Sequence, residues 1–243
     1  MGEIKIKGLT KRYGNFVALH ALDLNIEEGE MLALLGVNGA GKTTAIKLLS
    51  CLTSPDEGDA LLGGHSILTE PHAVKEIIGV SPQETAVGKK LTVRENLMFL
   101  AEIHGLDKEK ACERVEKTLK ELRLDEVADR RAGTLSGGWQ RRVSIAMALI
   151  SEPRILFLDE PTLGLDVIAR HELWEYIRSL HGKMTVILTT HYLEEAESLC
   201  DRVAILASGK LVITGTVEEI KERAGTDCFE DAFVKLSTRE VTA

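Results

Sequence analysis

Residues 36–44, GVNGAGKTT, have the composition and spacing of a phosphate-binding loop. They fit the pattern G-x-x-x-x-G-K-[ST], in which glycines let successive backbone N–H groups point inward around a phosphate. Lys42 is expected to reach the β- and γ-phosphates of a nucleotide, and Thr43 to offer its hydroxyl to Mg²⁺. The residues predicted to contact the nucleotide here are Gly36, Asn38, Gly39, Ala40, Gly41, Lys42, Thr43 and Thr44.

Two acidic residues, Asp159 and Glu160, follow the apolar run ILFL. Ligands of open α/β sheets bind at the carboxyl ends of the strands, so both carboxylates are expected beside the phosphate-binding loop. Asp159 is predicted to hold Mg²⁺, mostly through water, and Glu160 to position and activate an attacking water. On their own, two acids after an apolar run are weak evidence for a catalytic site. The interpretation depends on the phosphate-binding loop elsewhere in the chain.

Three further side chains are candidates because of where they stand in the chain. His191 follows the apolar run VILTT, Gln83 stands in GVSPQE, and Tyr13 stands in KRYGNFVAL. Taken singly, such a histidine or glutamine is more often structural or solvated, and such a tyrosine is more often a partly buried core residue. Beside a phosphate-binding loop, His191 is expected at the same sheet edge, and the ring of Tyr13 is expected to stack on a purine base.

The stretch LSGG at residues 135–138 precedes a helical pattern. A glycine pair exposes backbone N–H groups, and a helix N-terminus carries partial positive charge, so the stretch favours an anion. Ser136, Gly137 and Gly138 are therefore further candidates for phosphate contact.

The segments that must position these residues read as alternating strands and helices. MLALLG, ILFLDE and MTVILTT are short continuous apolar runs, typical of buried parallel strands, whereas EIKIKGL and ALDLNI alternate as half-buried strands do. RVAILASGKLVITG predicts a hairpin around Ser208 and Gly209. The predicted fold class is α/β: a P-loop NTPase core with a mostly parallel sheet, an N-terminal antiparallel β subdomain and an inserted helical subdomain.

The chain is predicted to be a single domain over residues 1–243. Residues 91–131 are charged and helical, with one apolar stripe at Val115, Leu119 and Leu122, and are expected to form the inserted helical subdomain. Residues 1–90 and 132–220 are expected to form the α/β core. Residues 221–243 are expected to form a short C-terminal helix and a polar tail.

Composition limits the function classes. Hydrophobic residues make up 44% and charged residues 28%, as in ordinary globular proteins, and the formal net charge of −8 argues against a broad basic face, so no nucleic-acid partner is expected. The longest apolar runs fall short of the roughly 20 residues that span a bilayer. The four scattered cysteines predict reduced thiols in a cytoplasmic protein.

Taken together and in order, these motifs resemble those of the ATP-binding cassette superfamily. The resemblance covers nearly the whole chain. It runs through an aromatic A-loop at Tyr13, Walker A at residues 36–43, a Q-loop at Gln83, the LSGG signature at residues 135–138, Walker B at residues 155–159 with Glu160, a D-loop ending at Asp166 and a switch histidine at His191.

The resemblance implies an ATPase with ATP and Mg²⁺ as its ligands. Catalytic roles then fall to Glu160, His191, Gln83 and Lys42, and the Mg²⁺ site to Thr43, Gln83 and Asp159. Cassettes of this superfamily pair head to tail, so each signature is expected to contact the γ-phosphate on its partner, a second copy or a related subunit.

A narrower resemblance points to the single-cassette subunits of bacterial ABC-2 type exporters of drugs, lipids or sodium. It is carried by LTVRENLMFLAEIHGL, GLDVIARHELWEYI and FEDAFVKLS. It implies a separate polytopic membrane permease, with the cassette held at the inner face of the cell membrane through it. Two residues depart from the superfamily pattern: Trp139 stands where glutamine is common, and Val167 where proline often follows the D-loop. Trp139 is expected to pack under the following helix.

The alternative is a soluble ABC ATPase that acts in assembly or chromosome maintenance. Chromosome-maintenance cassettes carry a long coiled coil between Walker A and signature. Here 94 positions separate Lys42 from Ser136, which is room for a small helical subdomain only. An assembly ATPase stays open at this stage.

Overall fold

The computed structural model describes residues 2–239, which form two β-sheets and the helices around them. The strands are β1 Ile4–Tyr13, β2 Phe16–Ile26, β3 Met31–Leu35, β4 Glu57–Leu62, β5 His65–Ser66, β6 Ile78–Ser81, β7 Ile155–Asp159, β8 Thr185–Thr190, β9 Arg202–Ala207 and β10 Lys210–Gly215. The helices are α1 Lys42–Leu49, α2 Pro71–Ile77, α3 Val93–Ile103, α4 Lys108–Glu121, α5 Gly137–Leu149, α6 Val167–Arg178, α7 Leu193–Leu199, α8 Val217–Ala224 and α9 Phe229–Arg239. Two 3₁₀ turns lie at Asp125–Val127 and Ala132–Thr134.

The larger sheet has the strand order β10-β9-β3-β8-β7-β6. Neighbours from β9 to β6 are parallel, and β10 pairs antiparallel with β9 as the predicted hairpin. Every residue of β3, β7 and β8 is buried, as expected for strands covered on both faces. The prediction of a mostly parallel core sheet is therefore confirmed.

The smaller sheet, in the order β2-β1-β4-β5, is antiparallel and covers one face of the core. Its strands alternate as their sequence does: Ile4 and Ile6 are buried, while Lys5 and Lys7 are exposed. The prediction of an N-terminal antiparallel β layer is confirmed.

The apolar core lies on both faces of the parallel sheet, because successive side chains of a strand point to opposite sides. Leu34 and Phe157 belong to the half that faces the antiparallel sheet and α1. Leu35 and Leu158 belong to the half that also contains buried residues of α3, α4, α5 and α6. Two packed faces hold the strand ends in place, and those ends carry the predicted functional residues.

The predicted helical segment, residues 91–131, contains α3 and α4. α3 begins at a capping box in which Thr92 accepts from the backbone N–H of Glu95 and the Glu95 carboxylate accepts from that of Thr92. Val115 and Leu119 of the predicted stripe are buried against α3 and α5. None of the helices within residues 2–239 is long and apolar enough to cross a membrane.

The C-terminal part differs in one boundary from the predicted plan. The division between residues 220 and 221 falls inside α8, which starts at a second capping box formed by Thr216 and Glu219. The T-x-x-E spacing of that box was the overlooked signal. The predicted last helix, with Phe229 and Leu236 buried, is α9, and the predicted polar tail at residues 240–243 lies outside the described residues.

Gly79 in β6 lets α5 approach the sheet closely. A Cβ there would lie 2.2 Å from the Ala148 carbonyl oxygen and 2.9 Å from Cγ of Pro153. Gly79→Ala is therefore expected to destabilise the fold by about 1–3 kcal/mol, the usual cost of overpacking. The measurement is urea unfolding at equilibrium, with Gly137→Ala as control, because a Cβ at Gly137 meets nothing within 4 Å. Equal stabilities for the two variants would contradict this packing.

Candidate functional site

The phosphate-binding loop joins β3 to α1 and has the backbone that its glycines permit. Gly39 and Gly41 have φ of 83° and 103°, in the left-handed region that disfavours other residues. A Cβ on Gly41 would also lie 2.7 Å from the carbonyl oxygen of Ala18. Both glycines are therefore required by the loop geometry, and α1 starts directly behind it with its N-terminus toward the loop.

Lys42 lies inside this loop with its ammonium group withdrawn from water. Its side chain is only 6% exposed, and Nζ donates to the carbonyl oxygen of Gly36 at 2.6 Å. Burial lowers the pKa of Lys42, and the charges of Glu160 and Asp159 oppose that shift. A buried cation held by carbonyl oxygens is ready to exchange them for phosphate oxygens, which carry charge.

Asp159, the last residue of β7, shares one carboxylate oxygen with two hydroxyl groups. Oδ1 accepts from Oγ1 of Thr189 at 2.5 Å and lies 3.4 Å from Oγ1 of Thr43. Mg²⁺ prefers oxygen ligands and typically takes one or two carboxylates together with substrate phosphates. The Thr43 hydroxyl and the Asp159 carboxylate therefore offer two oxygens to an ion that would also take phosphate oxygens.

Glu160 is turned toward Lys42 by an unusual backbone conformation. Its φ is 51°, and its N–H is held by both the carbonyl and the hydroxyl oxygen of Thr189. The carboxylate lies 3.7 Å from Nζ of Lys42 and 2.7 Å from Nδ1 of His191. A carboxylate fixed by a histidine and a lysine at the phosphate loop has the placement of a general base for water.

These residues surround a cleft of about 420 Å³. Its walls contain the following predicted residues: Tyr13, Asn38, Gly39, Ala40, Gly41, Lys42, Thr43, Thr44, Gln83 and Glu160. Asp159 and His191 are not among the lining residues, but Asp159 contacts Thr43 and His191 contacts Glu160. Gly36 lies beneath the loop, where a Cβ would be 2.5 Å from the Leu206 carbonyl oxygen.

Phe16 also lines the cleft, and sequence reasoning missed it. Tyr13 and Phe16 are directly opposite in the β1–β2 ladder, on either side of the Gly14-Asn15 turn. Directly opposite residues project to the same face of a sheet, so both rings stand on the cleft side, 49% and 63% exposed. The Gly-Asn pair between two alternating strands was the signal for this hairpin.

The signature residues lie elsewhere. Ser136 is the N-cap of α5, and Ser136, Gly137 and Gly138 line a groove of about 400 Å³ together with residues 164–166, which end at the D-loop Asp166. None of the three lines the cleft at Lys42. The structure thus separates the predicted phosphate contacts of one chain into two sites. Trp139 is itself in the first turn of α5, where it packs partly against the core and also borders the groove.

Arg141 is a second residue that sequence reasoning missed. It is on α5, 3% exposed, and its guanidinium donates to the backbone carbonyl oxygens of Pro82, Gln83, Asp159 and Pro161. Burial lowers the pKa of Arg141 to about 10, so the group stays charged at neutral pH. A basic residue after LSGG looks like part of a solvated helix face, and the chain gives no local sign of its burial.

A phosphate-binding loop between a parallel strand and a helix, with a hydroxyl–carboxylate pair and a Glu–His pair at the same sheet edge, defines a P-loop nucleoside triphosphatase. The ABC transporter family model matches residues 19–163, and the chain belongs to that family. Its reaction is ATP hydrolysis, so the prediction of an ATPase is confirmed.

Relatives agree with this assignment. The chain is 39% identical over 241 residues to the doxorubicin resistance ATP-binding protein DrrA of Mycobacterium tuberculosis, covering 98% of this chain and 71% of that protein. It is 40% identical over 230 residues to the Nod factor export ATP-binding protein I of Burkholderia lata, covering 93% and 75%. The predicted resemblance to ATP-binding subunits of exporters is confirmed.

Solved structures match the fold. An ATP-binding subunit of an ABC transporter matches with a TM-score of 0.86 and 30% identity, covering 96% of this chain and 99% of that one. A dimeric ATP-binding cassette in a post-hydrolysis state, bound to ADP and Pi, matches with a TM-score of 0.80 and 28% identity, covering 88% and 98%.

If the Tyr13 ring stacks on adenine, the ring must matter and the hydroxyl must not. We expect Tyr13→Phe and Tyr13→Trp to keep the affinity for ATP, and Tyr13→Ala to weaken it by about 1–3 kcal/mol. Calorimetric titration with ATP measures this, and Phe16→Ala is the matched variant across the hairpin. Unchanged affinity in Tyr13→Ala, with a loss in Phe16→Ala, would transfer the stacking role to Phe16.

Proposed function

We propose that this chain is the ATP-hydrolysing subunit of an exporter, that it closes head to tail on a second cassette, and that it drives a separate membrane permease. The observation that carries the proposal is the separation of Ser136, Gly137 and Gly138 from the cleft at Lys42. These three predicted phosphate contacts line a different groove from the cleft at the chain's own loop. A second cassette would bring its own signature residues to that cleft.

The signature groove is suited to such a partner. A Cβ on Gly137 would meet nothing within 4 Å, so its backbone is open to an incoming ligand. The side chain of Ser136 makes no capping hydrogen bond to α5, which leaves its hydroxyl available. With the positive end of the α5 dipole behind them, these groups favour a phosphate presented from outside.

Hydrolysis follows from the groups at the cleft. Glu160 accepts a proton from a water molecule, whose oxygen attacks the γ-phosphorus as the bond from that phosphorus to the bridging oxygen of ADP breaks. His191 fixes the Glu160 carboxylate, and Lys42 compensates charge on the β- and γ-phosphates. Thr43, Asp159 and Gln83 would hold Mg²⁺, which neutralises phosphate charge when bound.

The transport role rests on the relatives. One is a drug-resistance ATP-binding protein and another serves Nod factor export. We therefore assign this chain to export, with a polytopic permease as its membrane partner and a position at the inner face of the cell membrane through that permease. ATP binding favours the closed pair of cassettes and hydrolysis releases it, and this difference drives the permease.

The permease is expected to contact the outer face of α3. Phe99 and Ile103 are 56% and 61% exposed there, and Leu91 just before the helix is 37% exposed. Neighbouring exposed apolar residues mark interaction surfaces more than single ones do. Replacement of Glu95 on the same helix would not test this contact alone, because it would also remove the α3 capping box to which the Glu95 carboxylate belongs.

Ile103→Glu tests this contact, since a buried carboxylate in an apolar interface is costly. Transport in vesicles that contain the permease is expected to fall about tenfold or more, as for loss of an interface hot spot. Val234→Glu on α9, where Val234 is 53% exposed, is the control. Equal transport defects in the two variants would contradict docking on α3.

A mixed dimer tests the head-to-tail arrangement. Lys42→Ala removes a charge that compensates the phosphates, and Ser136→Arg blocks the signature, so each is expected to be inactive alone. In a mixed pair, sites built from two chains give one site with both defects and one with neither. We expect ATPase activity to reappear on mixing, in proportion to the share of mixed dimers.

A crosslink resolves the case in which both sites must be intact. Cysteines at Ser136 of one chain and Asn38 of the other, in a background without the four native cysteines, are expected to crosslink in an ATP-dependent way. Crosslinks formed only within single chains would refute the head-to-tail arrangement.

A further inference from the structure

Arg141 connects the signature helix to two loops of the catalytic cleft. Its Nε donates to the Pro161 carbonyl oxygen at 2.9 Å, and Nη2 donates to that of Asp159. Nη1 donates to the carbonyl oxygens of Pro82 at 2.5 Å and Gln83 at 3.2 Å. One planar guanidinium therefore holds the ends of the neighbouring strands β6 and β7 beneath α5.

Arg141 bonds to four backbone carbonyl oxygens, whereas Arg114, Arg178 and Arg202 each donate to one. Arg142, next to it, pairs with the carboxylate of Glu172, and Arg94 pairs with Glu116 and Asp129. All the hydrogen bonds found for Arg141 go to backbone carbonyl oxygens. A buried charge costs several kcal/mol to desolvate, and here that cost is offset by hydrogen bonds to carbonyl oxygens of two separate loops. An apolar residue in the same space would leave those loops without their common donor.

The two loops held by Arg141 are those that carry Glu160 and Gln83. Its bonds to Asp159 and Pro161 flank Glu160 on both sides, and the third anchor of that segment is the Glu160 N–H on Thr189. These contacts secure the left-handed φ of 51° that aims the Glu160 carboxylate at Lys42. The bond to the Gln83 carbonyl fixes the other loop relative to the same helix.

Arg141 also lies close to the signature. It follows Ser136 by five positions on one helix, an axial distance of about 7.5 Å. Helices move as rigid bodies on this scale, so a displacement of Ser136 also displaces the guanidinium and the four carbonyl groups bonded to it.

We propose that Arg141 is a positioning residue that couples the signature of a chain to the catalytic Glu160 and to Gln83 of the same chain. This rests on the proposed function, in which Ser136 contacts the ATP of the partner. Contact at one ATP site then sets the position of the general base at the other site. Arg141 touches neither nucleotide.

Arg141→Lys and Arg141→Gln test the coupling, because neither side chain reproduces a planar fork with five N–H donors. Both are expected to lower kcat for ATP hydrolysis by about 10–100-fold, as small misplacements of catalytic groups do. The dissociation constant for ATP, measured by calorimetry, is expected to stay within about twofold, because the residue makes no ground-state contact with substrate. Arg141→Lys is expected to retain more activity than Arg141→Gln.

A second readout separates positioning from dimer closure. In a Glu160→Gln background, which is expected to accumulate ATP-closed dimers, added Arg141→Lys is expected to leave the dimer fraction in size-exclusion chromatography unchanged. Arg114→Lys is the matched control, because Arg114 also donates to a backbone carbonyl near α5, that of Ile150, but contacts neither loop. Its turnover is expected to remain near that of the parent.

The proposal is overturned if the turnover of Arg141→Lys stays within about twofold of the parent, or if Arg114→Lys loses as much turnover as Arg141→Lys does. It is also overturned if the ATP dissociation constant of Arg141→Lys rises as much as its kcat falls. Loss of dimers in the Glu160→Gln, Arg141→Lys double variant is the fourth such outcome. Unfolding of both Arg141 variants in a thermal melt would assign the residue to core stability. Failure of the proposed function is distinct, because the Glu160→Gln parent itself would then form no ATP-dependent dimer.

Discussion

The site depends on the register of the parallel sheet, which ends β3, β8 and β7 at one level. Asp159 pairs with Thr189 on β8, and Thr190 pairs with Leu35, the residue before the phosphate-binding loop. In this register Asp159 and Thr189 project to the face on which α1 presents Thr43. A slip of β7 by one residue would turn Asp159 to the opposite face and remove the carboxylate from the loop.

Glu160 shows where regular structure is insufficient. If β7 continued in extended form, residue 160 would project to the opposite face from Asp159. Its left-handed backbone instead directs the carboxylate to within 3.7 Å of Lys42, which places two adjacent acids on one site. Such a conformation costs about 1–3 kcal/mol in a residue other than glycine and persists because its surroundings fix it. Thr189 holds the Glu160 N–H, and Arg141 holds the carbonyl oxygens of the two flanking residues.

The sequence predicted the loop, the strand ends and the layers, because these follow from local patterns. Buried strands read as apolar runs, and polar residues after them meet at one sheet edge whatever the details of packing. The roles of the predicted site residues stay predictions, although most of them line one cleft. The burial of Arg141 could not be predicted, because its hydrogen-bond partners are backbone carbonyl oxygens, which residues of every type have. The place of Phe16 opposite Tyr13 could have been predicted from the sequence, because it follows from strand pairing across a two-residue turn.

The different chemistry of the phosphate-binding loop and the signature explains why closure of the proposed pair would depend on ATP. The cleft holds the charged groups, Lys42, Asp159 and Glu160, whereas the contacts expected from Ser136 and its glycines are a hydroxyl and neutral N–H groups. Neutral donors contribute little in an open groove, because water competes for the phosphate, and more where closure excludes water. The hydrogen bonds that the signature donates therefore contribute to closure only when a phosphate is present and water is excluded from both surfaces. In the proposed pair ATP supplies that phosphate, and release of the phosphate after hydrolysis would remove the ligand that the two surfaces share.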